Sequence, residues 1–295
     1  MRRHFITLTF LLLATSAQAW NAAGHRLVAA IAWQQMTPAT RDAAITILRQ
    51  HPDHELWSAR AKGENPAAIF AEAATWPDDI RSDPRFFDET RDTATPPIPG
   101  LPDTARHKRW HYVDFDEQGR RKDGEADSQI ENLSAWLARG SGEQAAYALP
   151  WLLHLVADIH QPLHVGHAED DGGTEFEIEN PFNVRLPFSS LHAYWDDLPG
   201  PPWLRAQRLE KLVQGLLADY PAPPAGNVAL WRNESHRLLG EAYPTAEGSL
   251  LPIITEDFHR RARRIANRRL VEAGYRLGWL LEAGIVKRVS RETPP

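Results

Sequence analysis

A chain of 295 residues with a formal net charge of −6 and no cysteine has neither disulfides nor thiolate metal sites, and it lacks the overall basic balance of proteins that grip duplex DNA. Any metal must therefore be held by nitrogen and oxygen donors. The length allows a sizeable core and one or two domains; a single domain is favoured.

The first segment reads as a removable export leader over residues 1–19. Arg2 and Arg3 form a basic start, Phe5 to Ala14 an apolar stretch, and Ala17-Gln18-Ala19 a small-residue exit. That apolar stretch is well short of the ~20 residues that span a bilayer, so no membrane span is expected. Cleavage after Ala19 would leave residues 20–295 beginning at Trp20, with a free amine. An amine and the carbonyl of the same residue can chelate one metal in a five-membered ring, and His25 lies about one helical turn further on. The product would be exported, to the periplasm or beyond the cell.

Beyond the leader, helical spacing dominates. Leu27, Ala30 and Ile31 fall at i, i+3 and i+4, as do Ala44, Ile47 and Leu48 in a second helix that Thr37 caps and Pro38 opens. A third helix is predicted over 67–76, and the Pro- and Thr-rich stretch from Asp92 to Asp103 as a long surface loop. Helices are then predicted over 128–139 and 143–161. In the acidic segment from Glu169 to Pro187, Glu175-Phe176-Glu177-Ile178 alternates charged with apolar, and Asn180-Pro181-Phe182 precedes Val184-Arg185-Leu186. A small β-hairpin is expected there. Helices over 203–218, 228–242 and 255–283 complete an all-α reading: one mainly helical domain with a small β-hairpin. No repeat of 20 to 50 residues suggests a solenoid.

Two i, i+4 pairs of metal-binding type punctuate these helices. His154 and Asp158 share one face of the 143–161 segment, Pro162 stops it, and His164 follows; His192 and Asp196 form the second pair. Either pair alone more often marks a hydrogen-bonded structural contact. Joined with the Trp20 terminus, His25, Trp76-Pro77-Asp78 and Trp110-His111, they point to a metal centre.

These residues carry a resemblance. The sequence resembles the zinc-dependent type I nucleases, which cut single-stranded nucleic acids and act as 3'-nucleotidases, and which are related to bacterial zinc phospholipases C. The marks are Trp20 with Gly24-His25, Trp76-Pro77-Asp78-Asp79-Ile80-Arg81, Trp110 to Asp114, His154 to His164, Gly172-Gly173, Leu191-His192 with Trp195-Asp196, and Trp231 to Ser235. They spread over nearly all of residues 20 to 295. The resemblance implies a helical fold of the phospholipase C and type I nuclease kind and three Zn2+ ions. One would take Asp78, His111 and His154 and share Asp158. A second would take Trp20, His25 and the other oxygen of Asp158. A third would take His164, His192 and Asp196.

It further implies that Asp78, Arg81 and Asp158 serve catalysis, Arg81 by offsetting charge on the phosphate, and that no side-chain nucleophile is needed. Tyr112 would stack a base and Asp114 accept hydrogen bonds from a base edge, which a duplex hides. The substrates would be single-stranded DNA or RNA, cut to 5'-phosphorylated products, and 3'-mononucleotides. No obligate protein partner is evident. Thr174 and Ser190 stand where the family usually has Asn, and Pro77 where Ala is common.

A zinc phospholipase C is the rival reading; Asp196, in place of a Glu, with Tyr112 and Asp114, argues for the nuclease. A zinc-buffering protein is the non-catalytic alternative. His160 is expected to be structural, His167 a loop residue, and the arginines from Arg260 to Arg269 a solvated or salt-bridged helix face. Asn132-Leu133-Ser134 and Asn233-Glu234-Ser235 match a glycosylation pattern inside predicted helices.

Overall fold

The computed structural model describes residues 20–63, 65–245 and 251–292; the expected leader lies outside them. The centre is α7 (Gly142–Asp158), in which every residue from Ala145 to Asp158 is buried. Ser141 and Gln144 begin it with a reciprocal capping box. A helix apolar on all sides must be surrounded. Around it pack α1 (Ala22–Gln35), α2 (Pro38–Leu48), α6 (Ala126–Arg139) and α12 (Glu256–Glu292). The long α12 lies along α1, and a Cβ on Gly274 would sit 2.5 Å from Ile31 Cβ. The close crossing thus requires glycine there.

Prolines set two helix ends that matter to the site. The predicted 67–76 helix stops as α4 (Pro66–Ala73), and the short α5 (Trp76–Asp79) restarts after a break. Pro77 has no N–H to give and its ring would meet the carbonyl of residue i−4, which is Ala73. By the same rule Pro162 ends the predicted 143–161 helix at Asp158, its own i−4 residue. The chain is thereby released to turn immediately after a candidate ligand.

The remaining helices are α3 (His54–Arg60), α8 (Leu191–Asp196), α9 (Ala206–Asp219), α10 (Val228–Arg237) and α11 (Leu239–Ala242). The predicted 228–242 helix is therefore two, and α12 runs nine residues past the predicted 283. The stretch from Asp92 to Asp103 carries neither helix nor strand, as expected of a loop.

The expected hairpin exists but is displaced. Strands β3 (Glu177–Glu179) and β4 (Phe188–Ser190) pair antiparallel with Glu177 opposite Ser190. Val184-Arg185-Leu186, expected as a strand, lies in the connection, with Val184 90% exposed. Asn180 accepts from Phe182 N and Asn183 from Leu186 N, and these side-chain turns use up the residues that would have extended the ladder. A second hairpin, β1 (Val113–Phe115) with β2 (Arg121–Gly124), was not anticipated. Among the described residues no helix is long and apolar enough to cross a membrane.

Candidate metal centre and nucleotide pocket

The end of α7 delivers His154 and Asp158 to a buried cluster, and five other segments meet them there. Helix α1 brings His25, α5 brings Asp78, the 3-10 turn Lys108–His111 brings His111, and α8 with the turn Pro162–Val165 brings His192, Asp196 and His164. Their donor atoms form three groups, each within 4.8 Å internally: His25, Asp78 and His154; His111, His154 and Asp158; His164, His192 and Asp196. Eight of the nine candidate ligands are thus brought together. The ninth, Trp20, has its side chain fully buried, with its indole donating to Ala157 O at 3.2 Å, while Asn21 N donates to Asp196 O at 3.1 Å. Trp20 and Asn21 are therefore held beside the candidate carboxylates Asp158 and Asp196. A Cβ on Gly24 would fall 2.5 Å from Trp20 Cβ, so glycine is what lets Trp20 fold back onto α1.

The hydrogen bonds around the cluster decide what its nitrogens can do. His154 Nδ1 donates to Ala74 O at 2.9 Å, His164 Nδ1 to His111 O at 2.6 Å, and His192 Nδ1 to Gly172 O at 2.7 Å. A carbonyl only accepts, so Nδ1 carries the hydrogen in each case, and in a neutral ring Nε2 presents a lone pair inward. His164 Nε2 and His192 Nε2 then face each other at 3.1 Å, with Asp196 Oδ2 3.5 Å from His192 Nε2. Two lone pairs at that distance repel unless a cation or a proton lies between them. One tetrahedral cation with bonds of about 2.0–2.1 Å can close such a span.

The other half shows the same deficit. Asp158 Oδ2 is 3.1 Å from His111 Nδ1 and 3.2 Å from His154 Nε2, and its Oδ1 lies 3.5 Å from His25 Nε2. The His25 and His154 rings stack face to face with centroids 3.7 Å apart. Both ring nitrogens of His25, His111 Nε2, Asp78 Oδ1 and Asp158 Oδ1 are buried with no hydrogen-bond partner among the described residues. Each such orphan costs about 1–3 kcal/mol. Nitrogen and oxygen donors turned inward and left unpaired suit borderline-soft divalent cations.

The protonation of the cluster is divided. Burial holds His25, His111 and His164 well below the ordinary imidazole range, so they are neutral donors at pH 7. His154 is raised, because Asp158 and Asp78 outweigh its burial. Burial pushes Asp158 up to about 6 and Asp196 well above the usual carboxylate range, the latter against the donated hydrogen bond from Gln161.

The cluster opens into a cavity of about 380 Å3 whose walls include Arg81, Tyr112, Asp114, His111, His164 and His192. Arg81 Nε stands 3.6 Å from Asp78 Oδ1. Tyr112 OH donates to Asp123 at 2.8 Å, which fixes the ring on the pocket wall. Asp114 Oδ1 is buried without a hydrogen-bond partner among the described residues. Burial, followed by Asp171 and Asp123, pushes its carboxyl up to about 8. Lys108, Arg91 and Asp171 also line this cavity; the sequence reading had not selected them, and only the order of the chain around His111 hinted at Lys108.

Gln161 is the supporting residue that the sequence reading missed. Its Nε2 donates to Asp196 Oδ1 at 3.0 Å and its Oε1 accepts from Leu163 N at 2.5 Å. Its place between Asp158 and His164 was the available signal. Ser190 caps α8 by accepting from Ala193 N, a structural role that serves His192 and Asp196 together. Thr174 Oγ1 is buried with no hydrogen-bond partner among the described residues. His160 is structural as expected: its Nδ1 donates to Val156 O and its Nε2 accepts from Arg276. His167 pairs with the backbone of Phe115 and packs beside Tyr243, away from the cluster.

Comparison with known proteins agrees with the geometry. Over 188 residues the chain is 28% identical to Endonuclease 1 of Arabidopsis thaliana, covering 62% of this chain and 54% of that protein. Nuclease S1 of Aspergillus oryzae is 27% identical over 199 residues, or 65% of this chain and 58% of its own length. Endonuclease 4 of Arabidopsis thaliana is 25% identical over 250 residues, 80% and 74% respectively. The chain thus spans little more than half of the first of these relatives. The family described as S1/P1 Nuclease matches residues 20–285, nearly all of the described chain, and this protein belongs to that family.

Proposed function

We propose that the protein is a zinc-dependent nuclease that hydrolyses single-stranded DNA and RNA to 5'-phosphorylated products and releases phosphate from 3'-mononucleotides. The observation that carries the reading is the His164–His192 pair, two inward lone-pair nitrogens 3.1 Å apart beside Asp196, in a cluster that opens on a pocket with a guanidinium and an aromatic ring. Three ions would be held by Asp78, His111, His154 and Asp158; by Trp20, His25 and Asp158; and by His164, His192 and Asp196. When bound, zinc supplies Lewis-acid polarisation of phosphoryl oxygens and lowers the pKa of water from 15.7 towards about 7.

The chain's own residues do the rest. Arg81, on the cavity wall beside Asp78, donates to the phosphate and offsets the charge that builds on its oxygens. Tyr112 stacks a base, worth about 1–3 kcal/mol whatever its identity. Asp114, its carboxyl proton retained near neutrality, can donate as well as accept at a base edge. A paired base offers neither its face nor its edge, which is why single strands are preferred.

Processing belongs to the same reading: cleavage after Ala19 converts the Trp20 amide into an amine, and the enzyme matures on export. The test is to purify protein beginning at Trp20, measure bound metal, and assay single-stranded DNA, RNA, 3'-AMP and phosphatidylcholine. Release of nucleotides with zinc bound is the expected result. Hydrolysis of phosphatidylcholine without nucleotide release would transfer the protein to the phospholipases, and tightly bound zinc without any turnover would make it a metal store.

A further inference from the structure

A second cavity lies away from the metal cluster. It is a groove of about 630 Å3 on the other side of α8, walled by Phe182, Tyr194, Trp203, His259, Arg185 and Arg263. Helix α8 is the partition: His192 and Asp196 face the cluster, while Tyr194 and Asp197 line the groove. Asn21 ties the two sides together, its backbone N donating to Asp196 O and its side chain to Asp197 and to Gly200 O.

The groove's chemistry is specific. Phe182 lies flat on His259 with centroids 4.2 Å apart, and His259 Nδ1 is 3.0 Å from Tyr194 OH, so an aromatic floor is already assembled. Trp203, 65% exposed on the wall, offers a free indole face. Arg185 and Arg263 make no ion pair or side-chain hydrogen bond to any described residue. On the same helix Arg260 is engaged by Asp257 and Arg268 by Glu272. Asp197 is the only carboxylate among the described residues that line it, and it already accepts from Asn21. A protein of net charge −6 thus presents unpaired guanidinium groups beside aromatic faces in one place.

The geometry points to a second nucleic-acid contact: the groove holds a nucleotide of the same single strand, remote from the cleaved bond, with its base against Trp203 or Phe182 and its phosphate on Arg263 and Arg185. Aromatic faces that take any base, set beside cations that follow the backbone, are the general means of holding single strands without sequence preference. The volume is within the usual range of about 300–1,000 Å3 for small-ligand sites. This inference rests on the nuclease reading above and adds to it a preference for longer strands.

The test uses zinc-loaded protein and nuclease-resistant phosphorothioate oligothymidylates of increasing length, with affinity read by fluorescence anisotropy. W203A and R263Q each weaken binding of the long oligomer by about 5- to 150-fold, the weight of one stacked base, and leave the dithymidylate at its wild-type affinity. R263Q also flattens the salt dependence. K211Q, an equal charge change on exposed α9, leaves every length unaltered. Unchanged binding of the long oligomer by W203A and R263Q, while wild-type protein still cleaves single strands, overturns the groove and spares the nuclease reading. Variants that lose affinity for phosphatidylcholine vesicles but not for oligomers assign the groove to a lipid surface and overturn it likewise. Wild-type protein that neither binds nor cleaves single strands removes the nuclease reading, and the groove with it.

Discussion

Two buried polar clusters flank the turn that follows Asp158, and they are built on opposite principles. On one side Arg269, 1% exposed, donates to His160 O, Trp231 O, Ser235 Oγ, Glu234 and Glu272. That is one bond for each of the five N–H groups a guanidinium carries. Arg276 adds contacts to His160 Nε2, Pro224 O and both oxygens of Glu234. On the other side the His and Asp cluster leaves ring nitrogens and carboxylate oxygens with no hydrogen-bond partner among the described residues. One cluster is satisfied by protein groups; the other presents donors that could hold cations. The turn residues His160 and Gln161 belong to both, the first held by the arginines and the second holding Asp196.

The sharpest way to break the comparison is Asp158→Ala. If Asp158 bridges two ions, its loss removes zinc from both and cuts nuclease rate at least a hundredfold, beyond the roughly 10–100-fold that follows loss of a supporting partner. Metal analysis beside a rate assay checks it, and full zinc content in the variant would deny the bridge. Retaining Ala19 should act next most strongly, by keeping the Trp20 nitrogen an amide; equal zinc and equal turnover in such an extended protein would show that the amine is not a ligand. Arg269→Ala, by contrast, should cost about 3–5 kcal/mol of stability, because it removes one partner of a buried charge network together with all five of its hydrogen bonds, while folded protein keeps its zinc. Thermal melting and metal content separate the two effects. Smaller again is Gln161→Ala, which frees one oxygen of Asp196 and should weaken metal binding about 10–100-fold, as read by chelator competition, with little change in melting of the metal-free protein.

How much of this the sequence discloses depends on how local the signal is. The i, i+4 pairs on α7 and α8 and the proline stops are local, and they carry His154, Asp158, His192 and Asp196 into place. Where α4 ends and where α7 releases the chain follow from Pro77 and Pro162, although periodicity alone ran both helices too far. Hairpin register is not local: Asn180 and Asn183 turned the connection back on itself and moved both strands. Nor is the burial of Arg269. It sits in a run of arginines that reads as a solvated face, and distant partners, Glu234, Trp231, Ser235 and His160, make it a core residue. Gln161 was legible in position and not in role, since its partner Asp196 is 35 residues on.

The comparison is sharpened most finely by pH. Burial raises Asp158 from 3.8 to about 6 in the metal-free protein. The sign follows: a raised carboxyl contributes stability that is fully present below the unfolded pKa and is lost as pH rises through the folded one. Glu234 is the reverse, because Arg276 and Arg269 outweigh its burial and hold it below 4.5; its contribution is present above about 4.5 and fades only in stronger acid. Chelated protein should therefore melt at lower temperature as pH is raised from about 5 to about 6, with the raised carboxyls of Asp158 and Asp196 both acting in that sense and Glu234 contributing little over that window. Zinc-loaded protein should show the opposite slope, since protons compete with cations for the same atoms and metal binding strengthens as pH rises. Melting curves over that range, with and without chelator, check both signs. Parallel slopes would mean that the buried carboxylates titrate without reference to any ion.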